Sequence, residues 1–213
     1  MLKNATIGGA AAAIMISLAP ASHASDTAPP TDPITVDVKT VNGSGCPQGT
    51  ATVTELSDNT GFTVKYSDYV AEAGAGAGST DFRKNCQLSL LVHVPQGFTY
   101  AIAQADYAGN AHLQAGATGL EQANYYFQGN SETVAVGHPL SGPYDGAWHN
   151  TDRADTATLV YKPCGVDRIL NVNTELRVST GDSDAANTSS YMAMNTTQGG
   201  VNTIYRFQWK RCS

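Results

Sequence analysis

Charge is scarce in this chain. Asp, Glu, Lys and Arg make up 14% of its 213 residues, with 12 basic against 18 acidic and a formal net charge of −6. Phosphate contacts need clustered cations, so nucleic acid is not an expected partner. The one basic group, Arg206 with Lys210 and Arg211, reads as a solvated strand end. No segment after the N-terminal region holds a helical 3.6-residue period, which leaves strands to build the core. No apolar run reaches bilayer-spanning length, so no membrane partner is expected once the N-terminal segment is removed. There is no C-x-x-C pair or Cys-His cluster for zinc. There is no G-x-S-x-G elbow for a nucleophilic serine. Asp182-x-Asp184 with Asn187 offers oxygen ligands but lacks the loop and terminal Glu of a calcium site. Catalytic residues, metal and cofactor are therefore each expected to be none.

What is present begins with an export signal. Lys3 supplies a positive start, Ala5 to Ala19 an apolar stretch, and Ser22-His23-Ala24 a small-x-small cleavage site. Residues 1–24 read as a signal peptide, and their removal leaves 189 of the 213 residues and takes the charge to −7. Residues 25–33, rich in Pro and polar side chains, read as a flexible leader. Residues 34–213 then form one domain, large enough for a buried core.

The stretch Phe82 to Tyr107 carries the clearest pattern. Cys86, Leu88, Leu90, Val92 and Val94 fall on every second position, Pro95-Gln96-Gly97 breaks the run, and Phe98, Tyr100 and Ile102 resume it. Period two puts alternate side chains on opposite faces of a strand, and the break predicts a long hairpin. Similar alternation runs through Ile34 to Val38, Phe62 to Tyr66, Leu170 to Val178, and Tyr205, Phe207 and Trp209. Shorter strands are expected at Ala51–Val53, Asn110–Gln114, Leu120–Phe127 and Thr156–Lys162. Ala73–Thr80 (AGAGAGST), Gly129–Ala154 and Thr180–Ser190 read as loops, the second one long. Nine or ten strands with regular turn signals predict an all-β fold. It is a disulfide-stapled β-sandwich, jelly-roll-like or Greek-key in order.

All four cysteines, Cys46, Cys86, Cys164 and Cys212, follow the signal peptide, and an even count in a secreted chain argues for two disulfides. Three pairings are available. Local bridges, Cys46–Cys86 and Cys164–Cys212, are preferred because each closes a loop within one half of the chain. A crossed Cys46–Cys212 pairing is the alternative.

Several short patterns stand together: GSGCP at Gly43–Pro47, RKNCQLSLLVHVPQGF at Arg83–Phe98, YAGNAHL at Tyr107–Leu113, PCG at Pro163–Gly165, LNVNTELRV at Leu170–Val178 and WKRC at Trp209–Cys212. In these the chain resembles the secreted bacterial and fungal proteins grouped as the domain of unknown function 4360 family. The resemblance spans nearly all of the mature chain. It implies a secreted, disulfide-bonded β domain and supplies no catalytic residues to carry over.

Candidate binding residues are aromatic. Tyr125, Tyr126, Tyr144 and Trp148, with His149 beside them, offer flat rings and polar neighbours of the kind that stack on sugars. On one strand, Tyr125 and Tyr126 point to opposite faces. Asp145, His149, Asp152 and Asp155 share the expected long loop and read as a solvated acidic stretch. His93 reads as a structural or surface residue. Asn42, Asn187 and Asn195 head glycosylation triplets. The expected function is that of a secreted, extracellular, non-enzymatic module that binds a polysaccharide, a cell-wall component or a secreted protein. A hydrolase with paired carboxylates, such as a glycosidase, and a secreted inhibitor or structural protein are the alternatives.

Overall fold

The computed structural model describes residues 27–130, 135–194 and 203–212. The signal peptide, the start of the leader and Asn195 lie outside the described residues.

Twelve strands form there: β1 (Thr35–Asn42), β2 (Ala51–Glu55), β3 (Gly61–Tyr66), β4 (Val70–Gly74), β5 (Arg83–His93), β6 (Phe98–Leu113), β7 (Thr118–Phe127), β8 (Val136–Ser141), β9 (Tyr144–Arg153), β10 (Ile169–Ser179), β11 (Ser189–Ala193) and β12 (Thr203–Arg211). They build two antiparallel sheets. The first has the order β1-β5-β10-β7-β8. The second runs β2-β3-β12-β6-β11-β4, with β9 also paired to β6. Strand β6 is long enough for β12 to pair with residues 98–107 and β11 with residues 110–112, while β9 pairs along residues 104–113. Because β9 overlaps both of the others in register, β11 and β12 lie end to end on one edge of β6 and β9 on the other.

The two sheets meet through their apolar faces. Cys86, Leu88, Leu90 and Val92 of β5, and Leu170, Val172, Leu176 and Val178 of β10, are all buried. From the other sheet come Phe62 and Val64 of β3, Tyr100 and Ile102 of β6, and Tyr205, Phe207 and Trp209 of β12. Tyr100 ties the layers together, its ring 4.5 Å from that of Phe207 and 5.4 Å from that of Phe127 on β7. Burial of side chains of this size stabilises by about 1.5–3 kcal/mol each, so the aromatic belt supplies much of the cohesion.

Cys46–Cys86 and Cys164–Cys212 are both bonded, with Cα separations of 5.3 and 5.9 Å, within the range a bridge requires. The first fixes the turn after β1 to the start of β5. The second fixes the segment before β10 to the C-terminal end of β12.

Four expectations change. The run from Phe82 to Tyr107 is not a hairpin: β5 lies in the first sheet and β6 in the second, and Pro95–Gly97 turns a corner between layers. Both strands carry an apolar face, and these faces meet across the sandwich instead of aligning in one sheet. The long loop Gly129–Ala154 holds strands β8 and β9. Asn110–Gln114 is not a separate strand, since Asn110–Leu113 is the end of β6. Thr156–Lys162 is not a strand: Thr156–Thr158 is a 3-10 turn closed by Thr158 N–H on Asp155 O at 2.8 Å.

Candidate functional site

The outward face of the five-stranded sheet has an unusual composition, and it follows from register. Residues directly opposite in an antiparallel pair point to the same side. Asn42 on β1 opposes Gln87 on β5, Gln87 opposes Asn173 on β10, and Asn173 opposes Asn124 on β7. Four carboxamides therefore stand in one row across four strands. The next row reads Thr40, Ser89, Asn171 and Tyr126. The row on the other side holds Asn85, Glu175 and Gln122. These outward positions alternate with the buried apolar ones, so one period-two pattern writes both the core and this polar face.

The face is a shallow groove of about 400 Å³, lined in part by Asn85, Gln87, Gln122, Asn124, Asn173 and Glu175. One end is fixed electrostatically. Glu175, only 7% exposed, is held by the guanidinium groups of Arg83 and Arg177. Gln122 Nε2 also donates to Glu175 Oε1 at 3.1 Å. Ser89 Oγ donates to Asn171 Oδ1 at 2.9 Å, which sets that amide. At the far margin His93 Nε2 lies 3.1 Å from Asp37 Oδ2, and Lys39 Nζ donates to the same oxygen at 2.8 Å. Hydrogen bonds from Lys39 and then His93 hold the Asp37 carboxyl below its usual range. Among the described residues, the side-chain amides of Gln87 and Asn173 make no hydrogen bond. They are half-buried, and each offers donors and an acceptor to whatever enters the groove.

A second feature lies between the sheets at the β8–β9 edge. His138 Nε2 meets Asp152 Oδ1 at 2.6 Å, and Asn150 Nδ2 donates to Glu121 Oε2 at 3.1 Å. Glu121 is fully buried, and burial pushes its carboxyl up to about 8, with the Asp152 charge adding to the rise and the Asn150 bond opposing it. Glu121 Oε1, Asp152 Oδ2, Trp148 Nε1 and the hydroxyls of Tyr107 and Tyr205 are buried without a hydrogen-bond partner among the described residues. Burial likewise raises the Tyr107, Tyr125 and Tyr205 hydroxyls. A cleft of about 580 Å³ opens beside this cluster, lined by Tyr125, His138, Asp152 and Thr158 among others.

The aromatic candidates are not brought together. Tyr126 lies on the amide face, opposite Asn171. Tyr125 points inward, half-buried, at the β8–β9 cleft. Tyr144, also half-buried, donates its hydroxyl to Ala147 O. Trp148 is a core residue, 4% exposed, with its ring against Gly109. His149 is exposed on the outer face of the other sheet, opposite Ala108. Asp145 faces His112 Nδ1 at 3.6 Å, so the acidic residues around His149 form no cluster with it. Asp184 accepts from Asn187 Nδ2 at 2.8 Å, and no group of metal-binding residues exists among the described residues. The amide row was missed by sequence reasoning because each Asn or Gln reads singly as a solvated position. The N-x-N in Asn171-Val172-Asn173, with Gln87 and Asn124, becomes a signal only once the strands are paired.

Residues 32–212 match the family described as Domain of unknown function (DUF4360). The chain belongs to that family. An uncharacterized secreted protein of Arthroderma benhamiae is 30% identical to this DUF4360 chain over 194 residues, which is 91% of this chain and 78% of the relative. The chain is an extracellular protein, consistent with its two disulfides; no helix among the described residues is long and apolar enough to cross a membrane. Among solved structures, TmCBM61 in complex with beta-1,4-galactotriose is 11% identical, covering 84% of this chain and 89% of that one, with a TM-score of 0.29. The enzymatically active domain of tailspike protein 4 from bacteriophage CBA120 is 14% identical, covering 81% of this chain and 19% of that one, with a TM-score of 0.27. Backbone likeness at those scores carries no argument about this DUF4360 protein.

Proposed function

We propose that this secreted DUF4360 protein is a non-enzymatic binding module for a hydroxyl-rich polymer, a polysaccharide of a cell wall or matrix, held on the outward face of the five-stranded sheet. The observation that carries the reading is the row Asn42, Gln87, Asn173, Asn124, with unengaged amides on Gln87 and Asn173 in an open groove. A carboxamide donates and accepts at once, which suits vicinal hydroxyls that do the same. Protein partners favour surfaces with aromatic and apolar centres, and nucleic acids favour cationic ones; this row has neither. Tyr126 at the margin adds a flat ring for an apolar sugar face.

The carboxylates give less support to a hydrolase. The Asp152 charge acts on Glu121, but Glu121 is fully buried and neither carboxylate faces the amide groove. The test is retention on insoluble chitin, cellulose, β-glucan and peptidoglycan, comparing wild type with Gln87→Ala/Asn173→Ala. Each amide contributes about 1 kcal/mol of net hydrogen bonding, so the double variant should bind about 30-fold more weakly. Equal retention of the two proteins contradicts this site, and failure of the wild type on every polymer contradicts the polysaccharide reading.

A further inference from the structure

Resting on that reading, we infer that the bound polymer is a neutral, extended glycan chain that lies across the strands, not along them, with one sugar unit over each of Asn42, Gln87, Asn173 and Asn124. A polymer of identical units is best met by identical subsites. Along a single strand the outward positions change character: β10 presents Ile169, Asn171, Asn173, Glu175 and Arg177 in turn, passing from apolar to amide to charge. β5 does the same, from Arg83 through Asn85, Gln87 and Ser89 to Leu91. Across the strands, the central row is carboxamide at all four positions. Neighbouring strands stand about 4.8 Å apart, close to the length of one pyranose ring, so amides and sugars keep step over four units, about 14 Å from first to last.

The rows on either side fit the same placement. Thr40, Ser89, Asn171 and Tyr126 run parallel to the central row and supply hydroxyl, amide and ring contacts along one flank of the chain. On the other flank, Glu175 is already engaged by Arg83, Arg177 and Gln122. No ionised side chain stands in the central row, and the chain as a whole carries a formal charge of −6. Both features select a neutral glycan over an acidic one.

The experiment is calorimetric titration of the secreted chain, made in a bacterial host so that Asn42 carries no glycan. The ligands are oligosaccharides of two to six units cut from the polymer that the wild type retains. Affinity should rise about fivefold with each unit up to four, the increment of one amide contact, and then level off. Asn42→Ala, at the end of the row, should move the plateau to three units and leave the trimer's affinity unchanged. Gln87→Ala, one strand further in, should weaken trimer and tetramer alike. Unchanged melting midpoints establish that both variants are folded. Raising salt from low to high ionic strength should leave affinity unchanged. Continued gain beyond four units, a plateau indifferent to Asn42→Ala, strong weakening by salt, or retention of the polymer with no binding of its oligomers would each overturn this placement while leaving polysaccharide binding standing. Failure of the wild type to be retained on any polymer overturns both.

Discussion

Glu121→Gln should stabilise this protein, and by an amount that grows with pH. Glu121 is fully buried between the sheets, with one oxygen bonded to Asn150 and the other unpartnered among the described residues. Burial raises its pKa from 4.5 to about 8. The folded state therefore binds a proton that the unfolded state has released wherever pH lies between those values. Stability linked to this group is fully present below pH 4.5 and is lost as pH rises towards 8, after which the loss is complete. A rise of that size corresponds to about 5 kcal/mol at the alkaline limit. Glutamine cannot ionise, keeps an oxygen for Asn150, and brings NH2 donors into a cluster that holds the unpartnered Asp152 Oδ2. Urea denaturation at pH 4, 6, 8 and 9, with the disulfides intact, measures the difference between variant and wild type. It should be near zero at pH 4 and several kcal/mol in favour of Gln at pH 9. A difference that is constant with pH, or that favours the wild type more as pH rises, refutes the argument.

Other perturbations follow from the same structure. Replacing Cys164 and Cys212 by Ser opens a loop of 48 residues and should cost about 4 kcal/mol, read as a lower urea midpoint, while the 40-residue Cys46–Cys86 bridge should cost about the same. Gly109→Ala sets a methyl group 1.9 Å from Ala193 O and 2.6 Å from the Trp148 ring, so it should cost about 3 kcal/mol or leave no soluble protein, as read by thermal melting and export yield. Trp148→Ala should cost about 3–5 kcal/mol in the same assay and leave polymer retention by the folded fraction intact, because Trp148 lies in the core and not in the groove.

The strands that were legible in the sequence are those whose period-two pattern runs long, such as β5, β10 and β12. Alternation names the face of a residue but not the partner of its strand, which is why β5 and β6 read as a hairpin when they belong to opposite sheets. Strands β8 and β9 were hidden by Gly137, Pro139, Gly142, Pro143 and Gly146. β8 is an edge strand, where a proline's missing donor is tolerated, and β9 borders the sandwich along the free side of β6. Strands β4 and β11, five residues each, run into the stretches Ala73–Thr80 and Thr180–Ser190, whose small and polar residues read as loops. The disulfide spacing pointed to the observed bridges because each closes a loop within one half of the chain. Of the aromatic candidates, Tyr126 reaches the proposed face, while Trp148 shows how a ring beside glycines and prolines is taken for a loop residue when it fills the space above a strand glycine. The groove is not legible in the sequence because it is a property of register among four strands drawn from distant parts of the chain.

The most direct measurement of the central claim is retention of wild type and Gln87→Ala/Asn173→Ala on the polymer that binds best, titrated to give affinities with both proteins shown to be folded. The double variant should lose about 30-fold in affinity, with Tyr144→Ala and His149→Ala unchanged. Wild-type affinity in the double variant, or a loss caused by the β9 substitutions instead, contradicts it.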